Sequence, residues 1–116
     1  METPGRAIDR VDAEGYEPFI VDGEQVGEIR WLRTTQDQAS TALEVGLWRS
    51  DPATYDYLFV VDETFHVIEG AVTIELPETD ERLELKAGDI AFFQAGTPSV
   101  WTITKPFKKF VITPPS

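Results

Sequence analysis

The chain has 116 residues, with 21 acidic residues against 10 basic ones, one histidine and no cysteine. This composition excludes disulfides, thiolate metal sites, a cysteine nucleophile and a cage of several imidazoles. A net charge of −11 argues against binding to nucleic acid or anionic membranes, which requires clustered lysine and arginine. No apolar run approaches the roughly 18 residues of a membrane span, and the N-terminus lacks a signal-peptide hydrophobic region, so we expect a cytoplasmic protein.

The acidic residues are concentrated at the start of the chain. Residues 1–28 carry eight of them against two basic residues, and only Tyr16–Val21 resembles a packing segment there. We therefore interpret residues 1–40 as an acidic N-terminal arm with one or two strands, and residues 41–116 as the globular barrel. Residues 28–33 fit either a short strand or a weak helical period.

From residue 41 onward the apolar residues alternate with period two. Leu43, Val45 and Leu47 share one face of a first strand. Further short apolar runs follow between glycine and proline turns, at residues 55–61, 64–69, 71–76, 82–86, 90–93, 99–104 and 107–112. Gly70 is predicted to join two of these strands in a tight connection. About eight short strands between such turns predict an all-β sandwich or barrel.

Two glycine-centred segments carry a more specific signal, Asp62–Gly70 (DETFHVIEG) and Lys86–Gly96 (KAGDIAFFQAG). They resemble the two sequence motifs of the cupins, and within them the subgroup of (S)-ureidoglycine aminohydrolase and an ethanolamine-utilisation cupin. The resemblance covers residues 42–112. It implies a double-stranded β-helix, or jelly roll barrel.

The resemblance also implies a metal site of three histidines and one glutamate, of which only Glu63 is present. The positions of the first two histidines hold Tyr57 and Phe59, or Asp56 and Leu58 in a longer spacing, and the position of the third holds Ser99. A transition metal needs three or four nitrogen or oxygen donors, so we expect no tightly bound metal. The alternative is weak binding of a hard cation by Glu63, Asp56, Tyr57 and Ser99 together with water.

The single histidine, His66, does not replace the missing ligands. Side chains alternate along a strand, so Glu63 and His66 lie on opposite faces. If Glu63 faces the barrel interior, as the resemblance implies, His66 faces outward, on a sheet surface or a subunit interface. The alternative is that His66 acts as a catalytic base towards a neighbouring subunit.

The same alternation predicts an aromatic pocket around one carboxylate. The predicted interior consists of Tyr57, Phe59, Glu63, Phe65, Ile90, Phe92, Ser99, Trp101 and Ile103. We take Glu63, Tyr57 and Ser99 as catalytic candidates. The candidate ligand-binding residues are Phe59, Phe65, Phe92, Trp101 and Gln94, which replaces a proline of the second motif.

Two roles are open for Glu63. A desolvated carboxyl group suits general acid–base work near neutrality. Alternatively, Glu63 is paired with Arg30, Arg49 or the Tyr57 hydroxyl and is inert. We assign the basic segment 105–109 to the surface, where Lys105, Lys108 and Lys109 would shield a strand edge or counter the acidic charge.

We therefore expect a small-molecule-binding cupin with a degenerate metal site, which holds a small polar or carboxylated metabolite beside Glu63 without a cofactor. One alternative is an aminohydrolase-like enzyme that uses Glu63 as base or metal ligand. Another is a structural or interaction protein whose barrel is filled by its own aromatic residues. Because small jelly rolls expose a sheet edge, we also expect a homodimer.

Overall fold

The computed structural model describes residues 8–33 and 44–114. These ranges contain eight strands and no helix, which confirms the all-β prediction. The strands are β1 (Glu17–Val21), β2 (Glu24–Arg33), β3 (Glu44–Ser50), β4 (Ala53–Leu58), β5 (Glu63–Leu76), β6 (Glu81–Lys86), β7 (Ile90–Phe93) and β8 (Pro98–Thr113). Leu43, predicted to lie in the first strand of the barrel, is outside the described residues. In the part of the chain described, no helix is long and apolar enough to cross a membrane.

The two longest strands, β5 and β8, form the centre of the fold. They pair antiparallel with each other, and each runs through both sheets. The end of β8 pairs with β3 and the start of β5 pairs with β7, so one sheet has the order β1-β2-β3-β8-β5-β7. The start of β8 pairs with β4 and the end of β5 pairs with β6, so the other sheet has the order β4-β8-β5-β6. This is the predicted jelly roll, or double-stranded β-helix.

The predicted break at Gly70 is wrong, because β5 is one continuous strand. Gly70 lies inside it with φ 90°, and a Cβ atom at this position would overlap the carbonyl oxygen of Pro106 on β8. The register of β5 against β8 shifts on both sides of this point. Residues 99–104 and 107–112 likewise form one strand, with Pro106 at the change from one sheet to the other. Gly70 therefore permits a close crossing rather than a turn.

The core fills the space between the two sheets. It consists of Ile29, Trp48, Phe59, Phe65, Val67, Val72, Ile74, Phe93, Trp101, Ile103, Phe107 and Val111. Trp101 lies at its centre, with its ring centroid 6.0 Å from that of Trp48 and 5.6 Å from that of Phe65. Because Trp101 belongs to one sheet and Trp48 to the other, these contacts hold the inner faces together.

The N-terminal residues extend the sheet. The hairpin of β1 and β2 pairs with β3, so the strand interpretation of residues 28–33 is the right one. The preceding segment is held by arginines: Arg30 forms an ion pair of 2.8 Å with Asp9, and the guanidinium of Arg49 lies 3.8 Å from the centroid of the Tyr16 ring. The hydrogen bond from Arg30 lowers the pKa of Asp9. The acidic segment therefore packs against basic groups of the barrel.

Alanine at Gly70 is expected to destabilise the protein more than alanine at Gly88. Both glycines have positive φ, at 90° and 98°, so both substitutions carry a backbone strain of about 1–3 kcal/mol. A Cβ atom at Gly88 has no neighbour within 4 Å, whereas at Gly70 it meets the Pro106 backbone. We expect G70A to lower the free energy of unfolding by about 2 kcal/mol more than G88A does, measured by urea denaturation. Equal losses would contradict the close crossing of β5 and β8.

Candidate functional site

A cavity of about 310 Å³ lies inside the barrel beside Glu63. Its apolar walls come from Phe19, Val26, Ile29, Trp31, Trp48, Val60, Val61, Trp101 and Val111. The polar or charged residues that line it are Glu44, Tyr55, Tyr57, Glu63, Lys109 and Thr113. The cavity is thus an apolar space with a small set of polar groups, which is the usual composition of a ligand site.

The main polar feature of the cavity is an ion pair between Glu63 and Lys109. The Lys109 Nζ atom lies 2.5 Å from the Glu63 Oε2 atom, and the two residues are only 6% and 4% exposed. The assignment of Lys109 to a surface edge is therefore wrong. Lys109 shares its face of β8 with Phe107 and Val111, both of which are buried, so strand alternation turns it inward. That apolar alternation was the signal in the sequence that could have identified it.

Three aromatic rings surround the ammonium group of Lys109. Its Nζ atom lies 4.5 Å from the centroid of Phe65, 4.6 Å from that of Trp101 and 5.0 Å from that of Trp48. The negative faces of aromatic rings attract a cation at this range. The positive charge is thus compensated by one carboxylate and three rings.

Tyr57 completes the hydrogen bonding of the carboxylate. Its hydroxyl donates to the Glu63 Oε1 atom at 3.2 Å, so each carboxylate oxygen has a donor. Burial raises the pKa of Tyr57 well above its ordinary value, and the neighbouring Glu63 raises it further. Tyr57 is therefore a neutral donor. The predicted partners Arg30 and Arg49 pair instead with Asp9 and with Glu28 and Glu14.

Ser99 supports the site from behind. Its hydroxyl donates to the Tyr57 carbonyl oxygen at 2.7 Å and accepts from the Trp101 Nε1 atom at 3.1 Å. It does not line the cavity. Ser99 therefore fixes the ring of Trp101. Its hydroxyl is hydrogen-bonded to two protein groups and does not reach the cavity, so it does not fit the catalytic role predicted for it.

Two of the predicted ligand-binding residues are buried in the core. Phe59 stacks on Phe93 with ring centroids 4.6 Å apart, and Phe65 lies 6.0 Å from the same ring. Neither residue lines the cavity, although Phe65 contacts the ammonium group of Lys109. They form the apolar layer behind the site.

Phe92, Ile90 and Gln94 lie outside the barrel, which corrects the prediction for this segment. Phe92 is 60% and Ile90 73% exposed. In the antiparallel pairing Glu63 lies opposite Phe93, so Phe93 shares its inward face and Phe92 takes the outer one. The sequence Ile-Ala-Phe-Phe has apolar residues on both faces, which is why alternation alone gave the wrong parity. Gln94 is exposed, and its carbonyl oxygen accepts hydrogen bonds from Thr97 in the turn after β7.

The donors that could hold a metal are not brought together. Asp56 is exposed on the outer face of β4, and His66 is exposed opposite Ile90. Among residues 8–33 and 44–114, no group of three or more histidine, cysteine, aspartate or glutamate residues could hold a metal ion. Glu63 already binds an ammonium group and a phenol, so this donor set does not fit a transition metal.

Sequence reasoning left Trp31 and Trp48 unassigned, and both line the cavity. Trp48 is fixed by a hydrogen bond of 2.8 Å from its Nε1 atom to the Val26 carbonyl oxygen and by an edge contact with Tyr55. Neither residue belongs to a sequence motif that would indicate a site. Both reach the same wall of the cavity because β2 pairs with β3.

Removing one partner of the buried ion pair is expected to be costly, and removing both less so. K109M leaves the Glu63 carboxylate buried without its counter-charge, which lowers the free energy of unfolding by about 3–5 kcal/mol. Adding E63Q to K109M restores about 2 kcal/mol or more, because no charge is then stranded. The matched control is K108M on the opposite face, whose Nζ atom lies 3.6 Å from the exposed Glu69 and donates to the Val11 carbonyl oxygen, with a loss below about 2 kcal/mol. A double variant as unstable as the sum of both single variants would contradict the pairing.

The raised pKa of Tyr57 predicts a loss of stability in alkali. The folded state favours the neutral phenol, so this contribution is complete below the ordinary pKa of 10.0 and is lost as the pH rises above it. The slope for one group is up to about 1.4 kcal/mol per pH unit. Urea unfolding from about pH 9 to about pH 11 should show a steeper decline for the wild type than for Y57F. Equal declines in the free energy of unfolding of the wild type and Y57F would contradict a raised pKa of Tyr57.

Solved structures share this architecture at low sequence identity. The polyketide cyclase RemF from Streptomyces resistomycificus aligns with a TM-score of 0.72 and 20% identity, over 94% of this chain and 80% of that chain. The EutQ protein of Clostridium difficile aligns with a TM-score of 0.67 and 20% identity, over 78% of this chain and 64% of that chain. A structure from Salmonella typhimurium that is described as an ethanolamine utilization protein Q aligns with a TM-score of 0.67 and 18% identity. The alignment covers 87% of this chain and 94% of that chain. Identities of this order show the shared fold alone.

The family comparison covers both motifs of the sequence. No curated protein matches the chain in sequence. The family described as the EutQ-like cupin domain matches residues 37–110, which include Glu63, Tyr57, Trp101 and Lys109. The resemblance to the cupins is confirmed, while the finer assignment to the ureidoglycine aminohydrolase subgroup stays a prediction. Because the match spans more than half of the 116 residues, the chain belongs to the EutQ-like cupin domain family.

Proposed function

We propose that this protein binds a small, neutral, polar molecule inside the barrel, and that it does so without a transition metal. The observation that carries the proposal is the cavity of about 310 Å³ that reaches the buried pair of Glu63 and Lys109. A barrel filled by its own side chains, the structural alternative, would leave no such space beside Glu63. The cavity therefore favours a binding role.

The size and walls of the cavity indicate the shape of the ligand. Its volume is at the lower end of the range of roughly 300–1,000 Å³ for ligand pockets, which suits a molecule of one or two rings. Trp31, Trp48 and Trp101 line it, and indole rings offer flat apolar surfaces to a planar ligand. We therefore infer a planar or ring-containing ligand.

The charges on the wall favour a neutral ligand over a carboxylated one. Among the described lining residues there is one cation, Lys109, and two carboxylates, Glu44 and Glu63. The charge of Lys109 is already compensated at 2.5 Å by Glu63. A carboxylated ligand would bring a further negative charge to this wall, and burying an uncompensated charge is costly.

The polar groups around Glu63 indicate which atoms the ligand carries. Lys109 has three N–H donors, of which one is directed to Glu63, and an oxygen acceptor of the ligand can take another. Each oxygen of Glu63 accepts one hydrogen bond and has a second lone pair for a donor of the ligand. An amide or a hydroxy-ketone presents such an acceptor beside a donor.

The proposal needs no metal, because Lys109 provides the cation that faces Glu63. RemF, a structure of the same fold, is a polyketide cyclase by its description, so a barrel of this kind serves a small-molecule reaction in that protein. At 20% identity this likeness supports a binding barrel here and says nothing of the ligand.

The proposal predicts that partly filling the cavity weakens binding. The probes are neutral aromatic amides and hydroxy-ketones, benzamide and 2-hydroxyacetophenone among them, with binding measured by ligand-observed NMR. V111F places a larger side chain on the cavity wall and should weaken binding at least about tenfold, or by about 1.4 kcal/mol. The control I112F changes the next residue of β8, which faces the other side of the sheet, and should bind like the wild type.

Two results would oppose the proposal. One is that no compound of the panel binds the wild type saturably. The other is that V111F, shown by its circular dichroism spectrum to be folded, binds as well as I112F does.

A further inference from the structure

The atoms around Lys109 form a nucleophilic arrangement as well as a binding one. A reactive side chain of this kind has a base within hydrogen-bond distance and a third group that orients the base. Here the amine of Lys109 lies 2.5 Å from the Glu63 Oε2 atom, and the Tyr57 hydroxyl holds the Oε1 atom at 3.2 Å. All three residues line the cavity.

We propose that Lys109 forms an imine with a small neutral aldehyde or ketone bound in the cavity, and that Glu63 transfers the protons. The inference rests on the proposed function, since the carbonyl compound occupies the ligand cavity. It goes further in naming the ligand class and in making Lys109 a covalent participant.

The surroundings of the pair explain how a lysine can react here. In the resting site the Lys109 Nζ atom lies between the rings of Phe65, Trp48 and Trp101 and the carboxylate of Glu63. A neutral ligand that displaces water from the cavity leaves two opposite charges in an apolar space. Transfer of one proton from Nζ to Oε2 then removes both charges, because it yields a neutral amine and a carboxylic acid.

The reaction balances without any further reagent. The lone pair of Nζ attacks the carbonyl carbon, and the π electrons of the C=O bond move to its oxygen, which takes the proton from Glu63. Glu63 next accepts a proton from the nitrogen and returns it to the hydroxyl group, which leaves as water while the nitrogen lone pair forms the C=N bond. The protonated imine carries the positive charge beside the restored carboxylate of Glu63. The ion pair is therefore preserved before and after the step.

The other lysines of the chain provide internal controls. Lys108 directly precedes Lys109 on β8 and lies on the opposite, outer face. Its Nζ atom is 3.6 Å from Glu69 and donates a hydrogen bond to the Val11 carbonyl oxygen. Lys86 and Lys105 are exposed. If the lysines reacted in proportion to their exposure, Lys86 and Lys105 would be modified first. The proposal instead predicts that Lys109, the most buried of the four lysines, is modified first.

The test is reductive trapping of the full chain with benzaldehyde and sodium cyanoborohydride, with the modified lysine located by peptide mass spectrometry. We expect one adduct per chain at Lys109, formed at least about tenfold faster than at any other lysine. E63Q should slow this adduct by about a hundredfold, since the proton carrier is lost. K109R keeps a cation beside Glu63 and should show no fast adduct.

A second measurement does not depend on the folding of any variant. Benzamide has the shape of the probe but an unreactive carbonyl group, and in excess it should protect Lys109 of the wild type while Lys86 and Lys105 label as before. Binding of benzaldehyde by NMR without trapping at Lys109 would overturn the imine and leave the proposed function intact. Absence of trapping at Lys109 together with absence of binding of benzaldehyde and of every compound of the panel would overturn the two together. Trapping in order of exposure would overturn the imine alone.

Discussion

The ion pair between Glu63 and Lys109 is the interaction on which the interior of this barrel depends. A carboxylate that is 4% exposed needs a compensating charge, and the only cation within 2.5 Å of it in the described structure is an ammonium that is itself 6% exposed. The two residues belong to β5 and β8, the strands that run through both sheets. The geometry that closes the barrel therefore also brings the two charges together, and the close crossing at Gly70 is part of the same geometry.

This pair changes what a cupin barrel can do chemically. The resemblance to the cupin motif implies a glutamate ligand at Glu63, and the positions that it implies for the histidines hold an aromatic ring, a phenol and a hydroxyl that supports Trp101. A metal ion would accept lone pairs from protein and ligand alike. An ammonium group instead donates hydrogen bonds, and its nitrogen becomes a nucleophile once a proton is removed. The ammonium group of Lys109 thus serves hydrogen bonding to Glu63, and the proposed imine formation adds proton transfer to the role of Glu63.

Much of the fold could be predicted from the sequence, because alternation and turn residues act locally. The positions of β4, β6 and β7 follow from their apolar runs. The inward direction of Tyr57, Glu63 and Trp101 follows from parity once the resemblance to the cupins directs Glu63 inward. The errors have separate causes. Phe92 and Phe93 are both apolar, so only the pairing with β5 decides which of them faces inward. The lysine at 109 is counted as a surface residue by type, although its neighbours Phe107 and Val111 are buried.

The sequence by itself determined an all-β chain of the cupin family with a single histidine, since these depend on residue order and on the residues at fixed spacings from two glycines. Only the tertiary structure decided that Lys109 meets Glu63, that Trp31 and Trp48 reach the cavity wall, and that a cavity remains at all. Those facts depend on contacts between residues far apart in the chain, 46 positions in the case of the ion pair. A pattern along one strand carries no information on which side chain of another strand will lie opposite, or on how much space the two leave between them.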